Sequence, residues 1–378
     1  MNGRGLGVGL ALLLFAALAA VSVISAQEAT PEATGEATAE ATAEATAEAT
    51  VEASPEPTAE PTDDVSESTP EAEATAEATA EATREALPPG AMLDFPGPGS
   101  YTVSVMQGEI ERSYGVYIPA SYADAEAPAP LVIVLHAANG SALLAERQSG
   151  FDELAEESGF IVAYPDGVNG FWNDGRPLDP RVNANVSDSA FLAGVIAFLS
   201  DKLSIDPARV FATGYSMGGM MALRAACELN GRIAAVASVA TTMPEYVNPF
   251  CQGSLPLPAL FMLGTDDNSI PWSGLARQGQ GYLSAAGSLN YWRQHNACAD
   301  AVDTEVLPEI APDDGTIVIV SRYDDCSADA SVVLYGIYFG GHTWPGRPSP
   351  IGIDPGVVSQ EIDGTRVIWE FFNAVGGE

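Results

Sequence analysis

A strand that passes without a loop into a helix constrains this chain more than any other feature. RVFATGYSMGGMMALRAACEL, residues 209–229, begins as a β-type apolar run and ends as a helical one, and Gly214-Tyr215-Ser216-Met217-Gly218 is the join. Glycines two places before and two places after a serine remove side chains where a sharp turn crowds its neighbours. They push the serine toward a strained backbone with its hydroxyl projecting from the turn. The helix N-terminus behind it favours negative charge. Ser216 is therefore a candidate nucleophile; a glycine-rich turn without chemistry is the alternative reading of the same letters.

The flanking segments repeat the alternation. PLVIVLHA (130–137), FIVAYPDG (160–167), AAVASVA (234–240), PALFMLG (258–264), GTIVIVSRY (315–323) and SVVLYGIYFG (331–340) read as strands. The first is a continuous apolar run, as expected of a strand buried on both faces. ALLAERQSGFDELAEESG (142–159) reads as a helix ending at Gly159. SDSAFLAGVIAFLSDKL (187–203) reads as a helix opened by Ser187 or Asp188, and TRVIWEFFNAV (365–375) as a closing helix. Strands and helices in this order predict an α/β domain, a mostly parallel sheet flanked by helices.

A serine hydroxyl needs a base, and the chain has three histidines. His136 ends a strand upstream of Ser216. His295 lies in a helical stretch, NYWRQHNAC. His342, in YFGGHTWPG, lies in a loop after the last strands, where a serine–acid–histidine chain order puts the base. The acid belongs between Ser216 and His342, and MLGTDDNSIPWSG offers Asp266 and Asp267 just after a strand; spacing does not choose between them. Asp188 is upstream and reads better as a helix cap. An oxyanion site needs two backbone donors. One is expected from Met217, the residue after the nucleophile, and the other from Ala138 in HAANGSA.

Ahead of the domain, the chain is of a different kind. An apolar run from Leu6 to Ile24, preceded by Arg4 and followed by Ser25 and Ala26, reads as a signal peptide over residues 1–26. An uncleaved membrane anchor, the one expected membrane tether, is the rival reading. Residues 27–90 repeat Thr-Ala-Glu-Ala or nearly so, are broken by prolines, and lack large apolar side chains, so a disordered linker is expected. That segment holds 17 acids and one arginine out of a formal net charge of −36, which leaves about −21 for residues 91–378. So acidic a domain argues against nucleic acid and anionic lipid as partners. Its roughly 290 residues suit one large domain. In a secreted chain the four cysteines are expected as disulfides. Of three pairings, Cys227–Cys251 and Cys298–Cys326 are favoured as local; each adds about 3 kcal/mol in the chain-entropy model.

LHAANGSA, GFIVAYPDG, WND, DPARVFATGYSMGGMMA, GTDDNSIPW and GGHTWPG, in this order over almost all of residues 100–375, resemble the secreted poly(3-hydroxybutyrate) depolymerase and feruloyl/acetylxylan esterase family. The resemblance implies an α/β-hydrolase with a Ser216–Asp267–His342 triad, because the family's acid sits in a G-T-x-D-x-x-[VI]-P block that Gly264 to Pro271 matches at Asp267. It also suits the two local cysteine pairs. It implies no cofactor and no metal, and the aspartate pairs 313–314 and 324–325 are expected to face solvent. Ala137 stands where the family usually has glycine, and no appended polymer-gripping domain is expected after the last helix. Trp172 and Trp344 are candidates either to line an acyl or aryl pocket or to pack. The implied substrate is a carboxylic ester, of a hydroxyalkanoate polyester first and of plant polysaccharide second. A non-catalytic surface-binding module is the reading from another class.

Overall fold

A computed structural model describes residues 95–177, 179–277, 279–348 and 355–376, together with the strand pairing of residues 85–86. The signal peptide and nearly all of the expected linker lie outside the described residues.

Among the described residues eleven strands form one sheet. In chain order they are β1 (Glu85–Ala86), β2 (Gly99–Gln107), β3 (Ile110–Ile118), β4 (Ala129–Leu135), β5 (Ile161–Pro165), β6 (Ile205–Tyr215), β7 (Ala235–Val239), β8 (Ala259–Gly264), β9 (Asp303–Val306), β10 (Ile317–Tyr323) and β11 (Val332–Tyr338). Across the sheet the order is β1-β2-β3-β5-β4-β6-β7-β8-β11-β10-β9. The centre, β5 through β8 and on to β11, is parallel. Antiparallel pairs flank it: β2 with β3 and β3 with β5 on one side, β10 with β11 and with β9 on the other. The pairing of β1 with Tyr101–Thr102 begins inside the segment expected to be linker. The β2–β3 hairpin turns at Gly108, whose φ of 63° suits glycine.

Period-two burial explains why the central runs are continuously apolar. In β4, Leu131, Ile133 and Leu135 pack into one layer and Val132 and Val134 into the other. The first layer is covered by α3 (Asp188–Lys202), α4 (Met217–Glu228) and α5 (Ala285–His295). The second is covered by α1 (Ala142–Ser149), α2 (Phe151–Ser158) and α6 (Gly364–Asn373).

The single helix expected over 142–159 is two. Gly150 takes φ 64°, closing α1 as its C-cap and starting α2. Ser187 caps α3 by accepting from the Ala190 amide. Asp188 is no cap: it is buried and ion-paired with buried Arg112 at 2.6 Å, and its other oxygen accepts from the Asn173 amide. This tie joins the hairpin to the start of α3 and to the segment around Trp172. Both local disulfides are present. Cys227–Cys251 holds the end of α4 to a 3₁₀ turn at Glu245–Cys251, and Cys298–Cys326 joins the segments following α5 and β10.

Candidate active site

The sheet aims the C-terminal ends of its parallel strands at one edge, where the order of connection reverses and ligands of such sheets bind. Ser216 follows β6, Asp267 follows β8, His342 follows β11 and Ala138 follows β4.

Ser216 has φ 55° and ψ −119°, a conformation that costs a non-glycine residue about 1–3 kcal/mol and persists only where the surroundings impose it. Its amide donates to the Val239 carbonyl at 2.9 Å, and its carbonyl accepts from Met220 at 3.1 Å. The glycines around it meet hard limits. A Cβ on Gly218 would lie 2.1 Å from the Leu135 carbonyl oxygen, and one on Gly214 would lie 2.4 Å from the Gly218 carbonyl carbon. The start of α4 therefore abuts the end of β4, so that Met217 opens the helix beside the loop that carries Ala138.

His342 Nδ1 lies 2.7 Å from Asp267 Oδ2. The other carboxylate oxygen, Oδ1, accepts from the Ser269 and Ile270 amides, each at 2.8 Å. Asp267 is 5% exposed, whereas its neighbour Asp266 points to solvent. A carboxylate at Nδ1 makes that nitrogen the donor in the neutral ring. Nε2 is then left free to accept a proton, as a general base must. The acid and base loops approach through glycine: a Cβ on Gly264 would stand 2.3 Å from the Gly340 carbonyl oxygen. The Asp266 amide donates to that same oxygen at 2.9 Å, and Thr265 Oγ1 accepts from the Phe339 amide.

Tyr215, next to the serine, donates from its hydroxyl to the His342 carbonyl, and the two rings lie 5.1 Å apart. Burial pushes the phenol pKa up, which keeps it a donor.

The Ala138 loop rests on His136. Its Nε2 accepts from the Gly167 amide at 2.9 Å, so the proton is on Nδ1, which donates to the Ala137 carbonyl at 2.7 Å. Burial lowers the pKa of this ring and keeps it neutral. The Asn139 amide donates to the Gly170 carbonyl at 2.7 Å, and Asn139 takes φ 59°. Ala138 is exposed at the crest of the loop.

Residues 130–256 match the family described as the alpha/beta hydrolase fold. "Putative esterase NocK" of Nocardia uniformis subsp. tsuyamanensis is 32% identical over 243 residues, 59% of this chain and 69% of that protein. The chain belongs to the α/β-hydrolase esterases. This esterase is also 30% identical to "Feruloyl esterase B" of Piromyces equi over 57% of its own length and 39% of that protein. It is 26% identical to "Feruloyl esterase C" of Emericella nidulans over 70% of its own length and 84% of that protein. Membership makes it a carboxylic ester hydrolase.

Of the two roles open to Trp172 and Trp344 in this esterase, lining a pocket or packing, both residues take packing. Trp172 is fully buried, its ring tilted against that of His136 and its Nε1 donating to the His136 carbonyl. Trp344 is 2% exposed, donates from Nε1 to Thr365 Oγ1, and lies edge-on to Phe151. An indole N–H in a core needs an acceptor, and both found theirs inside the fold. His295 ends α5, stacked on Tyr291 and within 3.2 Å of Ser254 Oγ and the Leu255 carbonyl. Asp314 accepts from Thr316 and Gln360, and among the described residues no group of three or more His, Cys, Asp or Glu is placed to hold a metal ion.

The sequence reading missed Tyr215, His136 and the Arg112–Asp188 pair as parts that hold the site. The tyrosine stood inside the serine motif, and its aromatic ring one place before a nucleophile was the available signal. The ion pair spans 76 residues of chain, and nothing in the spacing announces it.

Proposed function

We propose that this enzyme is a secreted serine esterase that releases an acyl group from esters of plant polysaccharide through an acyl-enzyme. The Asp267–His342 contact, tied through the Tyr215–His342 hydrogen bond to the strand that ends at a strained Ser216, is the observation that carries the mechanism. Ser216 Oγ attacks the ester carbonyl carbon as its proton moves to His342 Nε2. The tetrahedral oxyanion is held by the amides of Met217 and Ala138. Collapse of the intermediate breaks the acyl–oxygen bond, and the alcohol leaves with the proton from His342. Water then attacks the acyl-enzyme, again giving its proton to His342, and Ser216 and the free acid are regenerated. Asp267 holds the ring in the required tautomer and stabilises its charged form.

The substrate class follows the relatives whose names are feruloyl and acetylxylan esterases. The apolar segment 6–24 and the two disulfides support secretion, with residues 27–90 as a spacer. The family resemblance of GYSMGGMMA and GGHTWPG favours a second reading, hydrolysis of 3-hydroxybutyrate esters. Purified enzyme and its Ser216→Ala variant are compared on methyl ferulate, acetylated xylan and 3-hydroxybutyrate oligomers. Serine-dependent ferulate or acetate release is expected. Release of 3-hydroxybutyrate alone moves the enzyme to polyesters, and no serine-dependent release from any of the three overturns the catalytic reading.

A further inference from the structure

A recess of about 380 Å³ is lined by Arg176, Asp179, Arg181, Tyr246, Arg277 and Tyr282 among others. That volume falls in the range of small-molecule sites, about 300–1,000 Å³. Its position follows from a short chain of contacts. Arg176 Nη2 lies 3.1 Å from Met220 Sδ, the Tyr246 hydroxyl lies 3.2 Å from the same sulfur, and the Met220 amide donates to the Ser216 carbonyl. Met220 thus lies one turn of α4 from the nucleophile, and the recess begins on the far side of its side chain, where Arg176 and Tyr246 meet its sulfur.

Three arginines meet one aspartate on this lining, in a domain whose net charge is strongly negative. Arg176 is tied to fully buried Asp174 at 2.6 Å, and Arg181 to Asp179 at 2.7 Å. Hydrogen bonding from Arg181 holds the Asp179 carboxyl down to about 2, so it stays ionised and neutralises its partner. Arg277 has no carboxylate within ion-pair distance among the described residues and stands exposed at the mouth. Arg277 is therefore the lining arginine without an ion-pair partner, a planar, two-pronged donor suited to a carboxylate, while the Glu245 carboxylate lies against Gly281 beside Tyr282. The Tyr246 and Tyr282 rings, 6.4 Å apart, supply flat faces for the body of a ligand.

We propose that this recess is a carboxylate subsite that holds a monoanionic part of the substrate while its ester carbonyl lies at Ser216. The inference rests on the ester-hydrolysing reading of the site. One unpaired guanidinium matches one carboxylate, and the carboxylates of Asp179 on the wall and Glu245 beside it oppose a dianion such as phosphate. Two sources share this chemistry: a uronic acid of a polysaccharide, and the free carboxyl end of a hydroxyacid oligomer.

The test measures binding to the full-length Ser216→Ala protein by calorimetry, so it does not depend on turnover. The ligands are D-glucuronate, the linear 3-hydroxybutyrate dimer, D-glucose and inorganic phosphate. One of the two carboxylates is expected to bind with millimolar affinity and glucose not at all. Arg277→Gln should weaken that binding about fivefold, the order expected of an exposed charge pair, and Arg277→Glu should abolish it. Arg277→Lys should keep part of it, and unchanged thermal unfolding of all three variants shows that the fold is intact. Glucuronate binding points to the polysaccharide and dimer binding to the oligomer. Tighter binding of phosphate, equal binding of glucose, no carboxylate binding at tens of millimolar, or binding indifferent to Arg277→Glu overturns the proposal. Esterase activity of the wild type is scored separately, so either reading fails without the other.

Discussion

Tyr215 and His342 are 127 residues apart in sequence, yet the tyrosine hydroxyl bonds the histidine carbonyl and the two rings lie 5.1 Å apart. Tyr215 is the last residue of β6 and directly precedes Ser216. The strand that presents the nucleophile thus also anchors the loop that presents the base.

Tyr215→Phe removes that anchor while keeping the ring. The expected result is a fall in kcat of about tenfold, little change in KM, and a loss of about 1 kcal/mol in stability from the missing hydrogen bond. Steady-state kinetics and urea unfolding measure the two parts. A change confined to KM would place Tyr215 in substrate binding instead.

Asp267→Asn should lower kcat about ten-thousandfold with the fold retained. The new amide keeps its oxygen toward the Ser269 and Ile270 amides and turns its NH₂ toward His342 Nδ1. That forces the ring proton onto Nε2, the wrong tautomer for a base. Asp266→Asn, one place away and exposed, should stay within about twofold of wild type, a surface change of small effect.

Stability should fall as pH drops below neutrality, with His136 as one cause. Folded His136 is neutral, because protonation would set an N–H at Nε2 against the Gly167 amide. In the unfolded chain the ring takes up its proton near about pH 6.5. The unfolded state then binds more protons, so the stabilisation is complete above that pH and is lost as pH falls below it. Tm measured from pH 8 to pH 5 should decline less steeply in His136→Asn than in wild type. Equal slopes would remove His136 from the cause.

The start of α3 offers a direct comparison of two adjacent residues. Ser187→Ala deletes a cap and should cost about 1 kcal/mol. Asp188→Ala leaves Arg112 charged and buried and should cost about 3–5 kcal/mol. Equal losses by chemical denaturation would mean that the ion pair contributes nothing beyond the cap.

Much of the fold was legible because its signals are local. Continuous apolar runs such as 130–135 read as strands buried on both sides, and Gly214 answers a steric limit set by Gly218 within the same turn, although Gly218 itself is held by Leu135 of a neighbouring strand. The histidine in GGHTWPG and the paired aspartates after PALFMLG were visible as chemistry at the ends of strands. A helix signal over 142–159 was visible too, but not its break, since a single glycine inside a helical pattern can be tolerated or can take φ 64° as Gly150 does.

By itself, then, the sequence determined the parallel sheet, the elbow and the triad candidates, because periodicity and steric turn chemistry operate between neighbours. Spacing left Asp266 and Asp267 equal and only the family block singled out Asp267; the tertiary structure buries Asp267 and exposes Asp266, and it alone sent Trp172 and Trp344 into the core rather than into a pocket. It alone paired Asp188 with Arg112 and set Arg277 at the mouth of a recess. Burial and charge pairing depend on which segments the crossovers bring together, and contacts of that kind leave no periodic trace along the chain.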